Sequence, residues 1–326
     1  MKGYQFEDTQ GTFHLKKAEN ISYLYFPIAG EAGLKSSLTP NLGGDAKIDQ
    51  NTFLLEPVSA ENLVNNRNSR NFWCNVKGIG SWSLTGNAAE ALSKKFTEMQ
   101  DDSEVTAGFM WQKTTRESKK YQLRGEILSF IPVEKNVEVM LVTITNTGRM
   151  AQTVTPTAAI PLYGRSADNI RDHRHVTSLL HRIETTDIGV LVTPTLSFDE
   201  RGHQVNHMTY YCVGWSGNGE KPVDFYPTAE DFVGEGGNFE RPYAIVKNAE
   251  GVKAGTRIEG LEAVGGLHFS EVTLEPEEEC SYLIFTGITE DIQEIRNLSK
   301  TYTTREMVLE ELEKTKAYWQ EKVNVA

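Results

Sequence analysis

Nine residues, VEVMLVTIT from Val137 to Thr145, constrain the fold of this chain more than any other stretch. With the two-residue repeat of a strand, Val137, Val139, Leu141, Thr143 and Thr145 face one way. Glu138, Met140, Val142 and Ile144 then face the other. A strand apolar on both faces has to be covered on both, which places it between stacked layers rather than at a surface. Val105 to Lys113, Tyr121 to Pro132 and Thr153 to Leu162 read as comparably long strands around it. Shorter ones are predicted at Thr12–Leu15, Tyr23–Ile28, Phe53–Val58, Phe72–Val76, Val176–Arg182, Gly189–Leu196, Met208–Trp215, Leu267–Leu274 and Cys280–Gly287. Their aromatic, Gly-interrupted character is that of a sandwich, so the expected class is mainly β, a large two-sheet antiparallel β-sandwich. One helix, Ala88 to Met99, interrupts the series.

The pattern changes near residue 288. Ile288, Ile292, Ile295 and Leu298 repeat at helical spacing, with Thr289 as candidate N-cap. A second helix opens at Thr303, whose spacing to Glu306 is that of a capping box. Val308, Leu312, Thr315 and Trp319 form its stripe, and Glu310 and Lys314 are spaced for an i,i+4 pair. The expected division is a sandwich over 1–287 and linker helices over 288–326. Tyr318 and Trp319, near the end of the last helix, lead to the expectation that a further domain follows.

The chemistry concentrates in YGRSADNIRDHRHV, Tyr163 to Val176, between two apolar runs. Arg165, Arg171 and Arg174 are forked donors for carboxylates, phosphates or sugar hydroxyls. Asp168, Asn169 and Asp172 accept from paired hydroxyls, and His173 and His175 would share a face if the segment were extended. A loop whose charges satisfy one another explains the same composition. A metal site fits poorly, because three arginines would repel the cation. Asp168 and Asp172 sit among arginines, a poor setting for a proton donor, so a hydrolytic carboxylate pair also fits poorly. The Gly- and aromatic-rich stretch 216–243 reads as a functional loop, and Phe198–Gln204 as a polar turn.

Net charge is −12, which argues against nucleic acid or an anionic membrane as a partner. Three widely spaced cysteines and no apolar leader point to a reducing, cytoplasmic setting. No apolar run approaches the roughly 18 residues of a membrane span. Serine-hydrolase, P-loop, zincin and dinucleotide motifs do not occur, so no cofactor is expected.

Four strings stand out: SYLYFPIAGEAGLKSSLTPNLGGDAKIDQNTFLLEPVSAENL, NSRNFW, PTAAIPLYGRSADNIRDHRHVTSLLHRI and PTLSFDERGH. They resemble the N-terminal part of the inverting β-glucoside phosphorylases, the cellobiose, chitobiose and 1,2-β-oligoglucan group, and most closely the last type. Val64 stands where that type has His. The resemblance implies a galactose-mutarotase-like super-sandwich followed by linker helices and an (α/α)6 barrel that carries the general acid and the phosphate-binding residues. It implies a homodimer acting on β-gluco-oligosaccharides with inorganic phosphate as co-substrate. On that reading the barrel, in cis or trans, lies outside this chain, which has no catalytic residue and is inactive alone. The loop residues Arg165, Asp168, Asn169, Arg171, Asp172, His173, Arg174 and His175 would wall the substrate site. A carbohydrate-binding or assembly subunit working with a separate barrel is the alternative.

Overall fold

Strand Val137–Asn146 is the sixth of eleven in a large antiparallel sheet, and all ten of its residues are buried. It is one part of a computed structural model that describes residues 4–21, 24–58, 68–172, 174–199 and 202–323. Along the large sheet the order is Tyr4–Phe6, Phe13–Lys16, Asp102–Gly108, Trp111–Ser118, Leu123–Phe130, Val137–Asn146, Glu279–Thr289, Thr209–Ser216, Gly189–Val192, Arg182–Thr185 and Arg257–Glu259. A second sheet lies against it, ordered Asp224–Thr228, Ala263–His268, Gln152–Leu162, Asn71–Val76 and Gly80–Ser83, with Val272–Leu274 beside Gln152–Val154.

The two faces of the central strand separate as its alternation requires. Met140, Val142 and Ile144 join Tyr282 and Ile284 in a core shared with Phe72, Cys74, Val154, Ala158 and Ile160 of the second sheet. Val137, Val139 and Leu141 join Leu283 and Phe285 on the opposite face. There they meet Ile295, Leu298, Tyr302, Val308 and Leu312 of the C-terminal helices Ile292–Thr301 and Arg305–Val323. Each such buried aliphatic or aromatic side chain contributes about 1.5–3 kcal/mol. Trp215, Phe285 and Tyr302 stack in series at 4.9 and 5.4 Å, and the Trp215 indole donates to the Tyr302 carbonyl at 2.9 Å. The outer face of the second sheet is covered by helices Ala229–Val233 and Tyr243–Lys247, through Phe232, Ala244 and Ile245.

The inward charge on the central strand, Glu138, is fully paired. Arg70 donates to it through Nε at 2.5 Å and Nη2 at 2.9 Å, and Ser36 Oγ donates at 2.6 Å. Arg70 Nη1 also donates to the Gly44 carbonyl at 2.7 Å. Gly44 sits at φ +118°, and a Cβ there would lie 1.8 Å from the Ser37 carbonyl oxygen, so the NLGGD turn requires glycine at this point. Through the Ser36 hydroxyl and the Arg70 bond to the Gly44 carbonyl, this cluster ties the four-stranded sheet Phe26–Ala29, Lys35–Leu38, Ala46–Asp49 and Thr52–Leu55 to the large one.

Several local expectations are corrected. Val105–Lys113 is not one strand but a hairpin, because Met110 adopts φ +62° and turns the chain between Gly108 and Trp111. The helix expected over Ala88–Met99 is confined to Ala89–Ser93, and Phe96 at φ +67° lies beyond its end. Val176–Arg182 is not a strand: helix Arg174–Ser178 occupies its start, and pairing resumes at Arg182. The first C-terminal helix is capped by Asp291, which accepts from the Gln293 amide, rather than by Thr289. Thr303 does not form the capping box; its hydroxyl reaches the Met307 sulfur, and the helix begins at Arg305. Lys314 pairs with Glu311 at 3.5 Å rather than with Glu310. The predicted strand positions Tyr23 and the segment 59–67, which includes Val64, lie outside the described residues.

Candidate functional site

The loop after strand Gln152–Leu162 is held on the sandwich by main-chain pairing. The Tyr163 amide donates to Leu54 at 2.8 Å and the Gly164 amide to Phe53 at 3.1 Å. The Phe53 amide donates back to Arg165 at 3.0 Å, and the Ala167 amide to Gln50 at 3.0 Å. The segment therefore runs along the edge strand Thr52–Leu55 before it turns. Gly164 takes φ +60°, a conformation that favours glycine. A short 3-10 turn, Ala167–Arg171, follows, and helix Arg174–Ser178 closes the loop.

Within the turn, Asn169 is buried and donates from Nδ2 to Asp172 Oδ2 at 3.0 Å. The Ser166 hydroxyl, also buried, donates to the Phe198 carbonyl and lies 3.2 Å from Asn169 Oδ1. Asp168 and Asp172 are exposed, so two carboxylates face solvent from a turn whose inner side is fastened. That arrangement suits acceptance from sugar hydroxyls. Arg165 is 4% exposed, donates from Nη2 to Glu262 at 2.8 Å and lies 5.0 Å from the Tyr163 ring centroid. Its Nε and Nη1 have no hydrogen-bond partner among the described residues.

His181 lies beneath this arginine, fully buried, with Nδ1 3.2 Å from the Leu261 carbonyl. Burial, and next the nearby Arg165 guanidinium, push its pKa down to about 3. It is therefore a neutral imidazole at physiological pH, and it is no acid catalyst there.

Of the eight loop residues expected to share a site, the structure brings Asn169 and Asp172 into direct contact and places Asp168 on the same turn. Arg165 is directed away from them, to Glu262. His173 lies outside the described residues, and the side chains of Arg171, Arg174 and His175 are not among those described. Residues 174–178 are helical, and the pairing considered for His173 and His175 in an extended segment falls on side chains outside those described. Glu262, Ser166 and the hairpin Leu196–Asp199 with Gly202–Val205 were missed from sequence. Phe198–Gln204, expected as a turn, supplies both arms of that hairpin, and Phe198 is where Ser166 attaches. The stretch 216–243 is not a free loop. It supplies strand Asp224–Thr228 and helix Ala229–Val233, and Phe225, Tyr226 and Phe232 are buried. Trp73, Trp82 and Trp215 are buried as well, so none of them offers a ring face to a sugar.

Among the described residues no cluster of three His, Cys, Asp or Glu side chains could hold a metal ion, and no helix is long and apolar enough to cross a membrane.

A large antiparallel sandwich, helix-covered and carrying one polar loop pinned to its edge, defines the class as a β-supersandwich domain. The chain belongs to glycosyl hydrolase family 94: the supersandwich domain of that family matches residues 56–305. Similar solved structures include a bacterial glucoamylase complexed with acarbose, at 10% identity and TM-score 0.47, over 98% of this chain and 38% of that one. A putative kojibiose phosphorylase from the human microbiome is similar at 10% identity and TM-score 0.47, over 98% and 39%. A putative aldose 1-epimerase from Escherichia coli K12 is similar at 9% identity and TM-score 0.41, over 82% and 99%. The chain thus spans about two fifths of the first two proteins. A search of curated proteins returned no match.

Proposed function

We propose that this chain is the sandwich part of an inverting glycoside phosphorylase acting on β-linked gluco-oligosaccharides, of the 1,2-β-oligoglucan type. The family match over residues 56–305 supports the glycoside-phosphorylase part of this reading, and the resemblance of the quoted strings motivates the 1,2-β-oligoglucan part. In the proposed reaction an oxygen of inorganic phosphate attacks the anomeric carbon as the glycosidic bond breaks. The configuration inverts to give α-glucose 1-phosphate, and an acid protonates the departing sugar oxygen. That acid and the phosphate site are assigned, by the resemblance to the β-glucoside phosphorylases, to an (α/α)6 barrel in cis or trans. The sandwich, over 1–287, contributes the loop, whose Asp168 and Asp172 accept from sugar hydroxyls while Asn169 holds Asp172 in place. The helices over 288–326 lead toward the barrel, and the whole works as a cytoplasmic homodimer with no cofactor.

The test is release of glucose 1-phosphate from sophorose or longer β-glucans in the presence of phosphate. The purified 326-residue chain is expected to release none. With a barrel polypeptide of the same family supplied, release is expected and should fall at least tenfold in Asp168→Ala. Phosphorolysis by the chain alone would overturn the assignment.

A further inference from the structure

The outer face of the large sheet carries a second cleft, of about 400 Å³, that shares no residue with the loop Tyr163–Val176. Three separate pieces of chain meet there: the turn Asp8–Thr12, the hairpin turn at Phe109–Trp111, and the last helix around Lys316. Its volume lies within the range of small-molecule sites, roughly 300–1,000 Å³.

The walls select a ligand class. Phe109, 36% exposed, presents part of its ring to the cleft. The ring tip abuts Gly11, where a Cβ would come within 3.0 Å of it, so the turn and the ring are fitted to each other. Beside it the Trp111 indole is covered by the Lys316 ammonium, 4.4 Å from the ring centroid. Glu313 holds that ammonium at 2.8 Å. The rest of the lining includes Gln10, Thr12 and Gln320, which carry both donors and acceptors. Asp8 spends Oδ1 on the Gln10 and Thr12 amides, at 2.8 and 3.0 Å, and so fixes the turn that presents them.

An anion would meet Asp8 and Glu313, a cation would meet Lys316, and an apolar ligand would strip water from amides and a hydroxyl without replacing it. A neutral polyol would satisfy all of them, with its C–H face against Phe109 and its hydroxyls exchanging hydrogen bonds with the amides and carboxylates. We infer that this cleft is a second saccharide-binding site, which takes a short neutral gluco-oligosaccharide between the last helix and the Phe109 turn. It lies on the helix-covered face, whereas the loop leaves the second sheet, so it acts as a tether for chain substrate rather than as part of the reacting site. The site is argued from this cleft and not from the loop, while the choice of glucose units rests on the proposed function.

The test is an NMR titration of the full chain with a neutral β-linked glucose trisaccharide. Saturable shifts are expected at the Trp111 indole N–H and at the Gly11 and Ala317 amides. Phe109→Ala should weaken that binding at least tenfold, and Gln320→Ala severalfold, because both side chains line the cleft and Phe109 is not core. The double variant Asp168→Ala/Asp172→Ala should leave it unchanged, so failure of the loop reading and failure of this one are separable. Absence of shifts at these three groups, or shifts that persist with unchanged affinity in Phe109→Ala, would overturn the inference.

Discussion

Two buried arginines, Arg70 and Arg165, differ in a way that separates scaffold from candidate site. Arg70 is inaccessible, and its guanidinium reaches both Glu138 oxygens and the Gly44 carbonyl, while Ser36 completes the carboxylate. Nothing is left for a ligand to do there. Arg165 is nearly as buried but makes one charged bond, to a Glu262 that is 16% exposed, and leaves Nε and Nη1 unpaired among the described residues. Buried donors without partners cost about 1–3 kcal/mol each, so such an arrangement persists where something other than stability selects it. The first arginine joins sheets; the second sits under the loop that presents Asp168 and Asp172.

The largest expected effect breaks the satisfied pair. Arg70→Met leaves Glu138 charged in the core and should cost about 3–5 kcal/mol, read from the denaturant midpoint. The double variant Arg70→Met/Glu138→Leu should recover much of that loss, since no unpaired charge remains. A small effect of Arg70→Met would mean that the pair does not hold the two sheets together.

Next comes pH, through His181 beneath Arg165. Its folded pKa, about 3, lies below the ordinary value near 6.5, so the unfolded chain binds a proton that the folded one refuses. Stability is therefore full above pH 6.5 and lost as pH falls from there toward 3, by on the order of a few kcal/mol. His181→Asn, which keeps a donor for the Leu261 carbonyl, should flatten that slope between pH 6.5 and 4 in thermal unfolding.

Arg165→Met should cost less than Arg70→Met, about 1–2 kcal/mol, because one bond is lost and Glu262 retains some solvent. Equal losses in the two variants would remove the contrast altogether. The smallest effect belongs to a surface clasp. Burial alone would raise the Glu90 carboxyl, but hydrogen bonds from Lys120, Lys94 and Tyr121 outweigh it and hold the pKa at about 2. Its contribution is present above about pH 4.5 and disappears as pH falls toward 2, and Lys120→Met should narrow that window in an NMR titration of Glu90.

Much of the scaffold was legible because period-two alternation records which faces are covered. Val137–Thr145 announced a strand buried on both faces; of the C-terminal stripe, Val308, Leu312 and Thr315 are buried as their spacing predicts and Trp319 is half-buried. The turns were less legible. Met110 at φ +62° breaks a run that composition reads as continuous, and Asp224–Thr228 lies in a stretch whose core aromatics resemble an exposed binding loop. In the candidate site, the cluster at Asp168, Asn169 and Asp172 was visible because its members are neighbours in sequence. The Arg165–Glu262 pair spans 97 residues, and nothing local marks Glu262 as a partner. Ser166 meeting Phe198 depends on a hairpin that a polar, turn-rich sequence did not reveal.

In the proposed function the loop faces a sugar, while Arg70 and its partners face only protein. The most direct measurement is a residue-resolved NMR titration of the full chain with a β-linked gluco-oligosaccharide, read at the amides of residues 166–172 and at the Arg70 side chain. Saturable shifts at Asp168, Asn169 and Asp172, with Arg70 unmoved and the loop shifts abolished in Asp168→Ala/Asp172→Ala, are the predicted result. Loop amides that stay fixed while sugar binds elsewhere on the chain would contradict it.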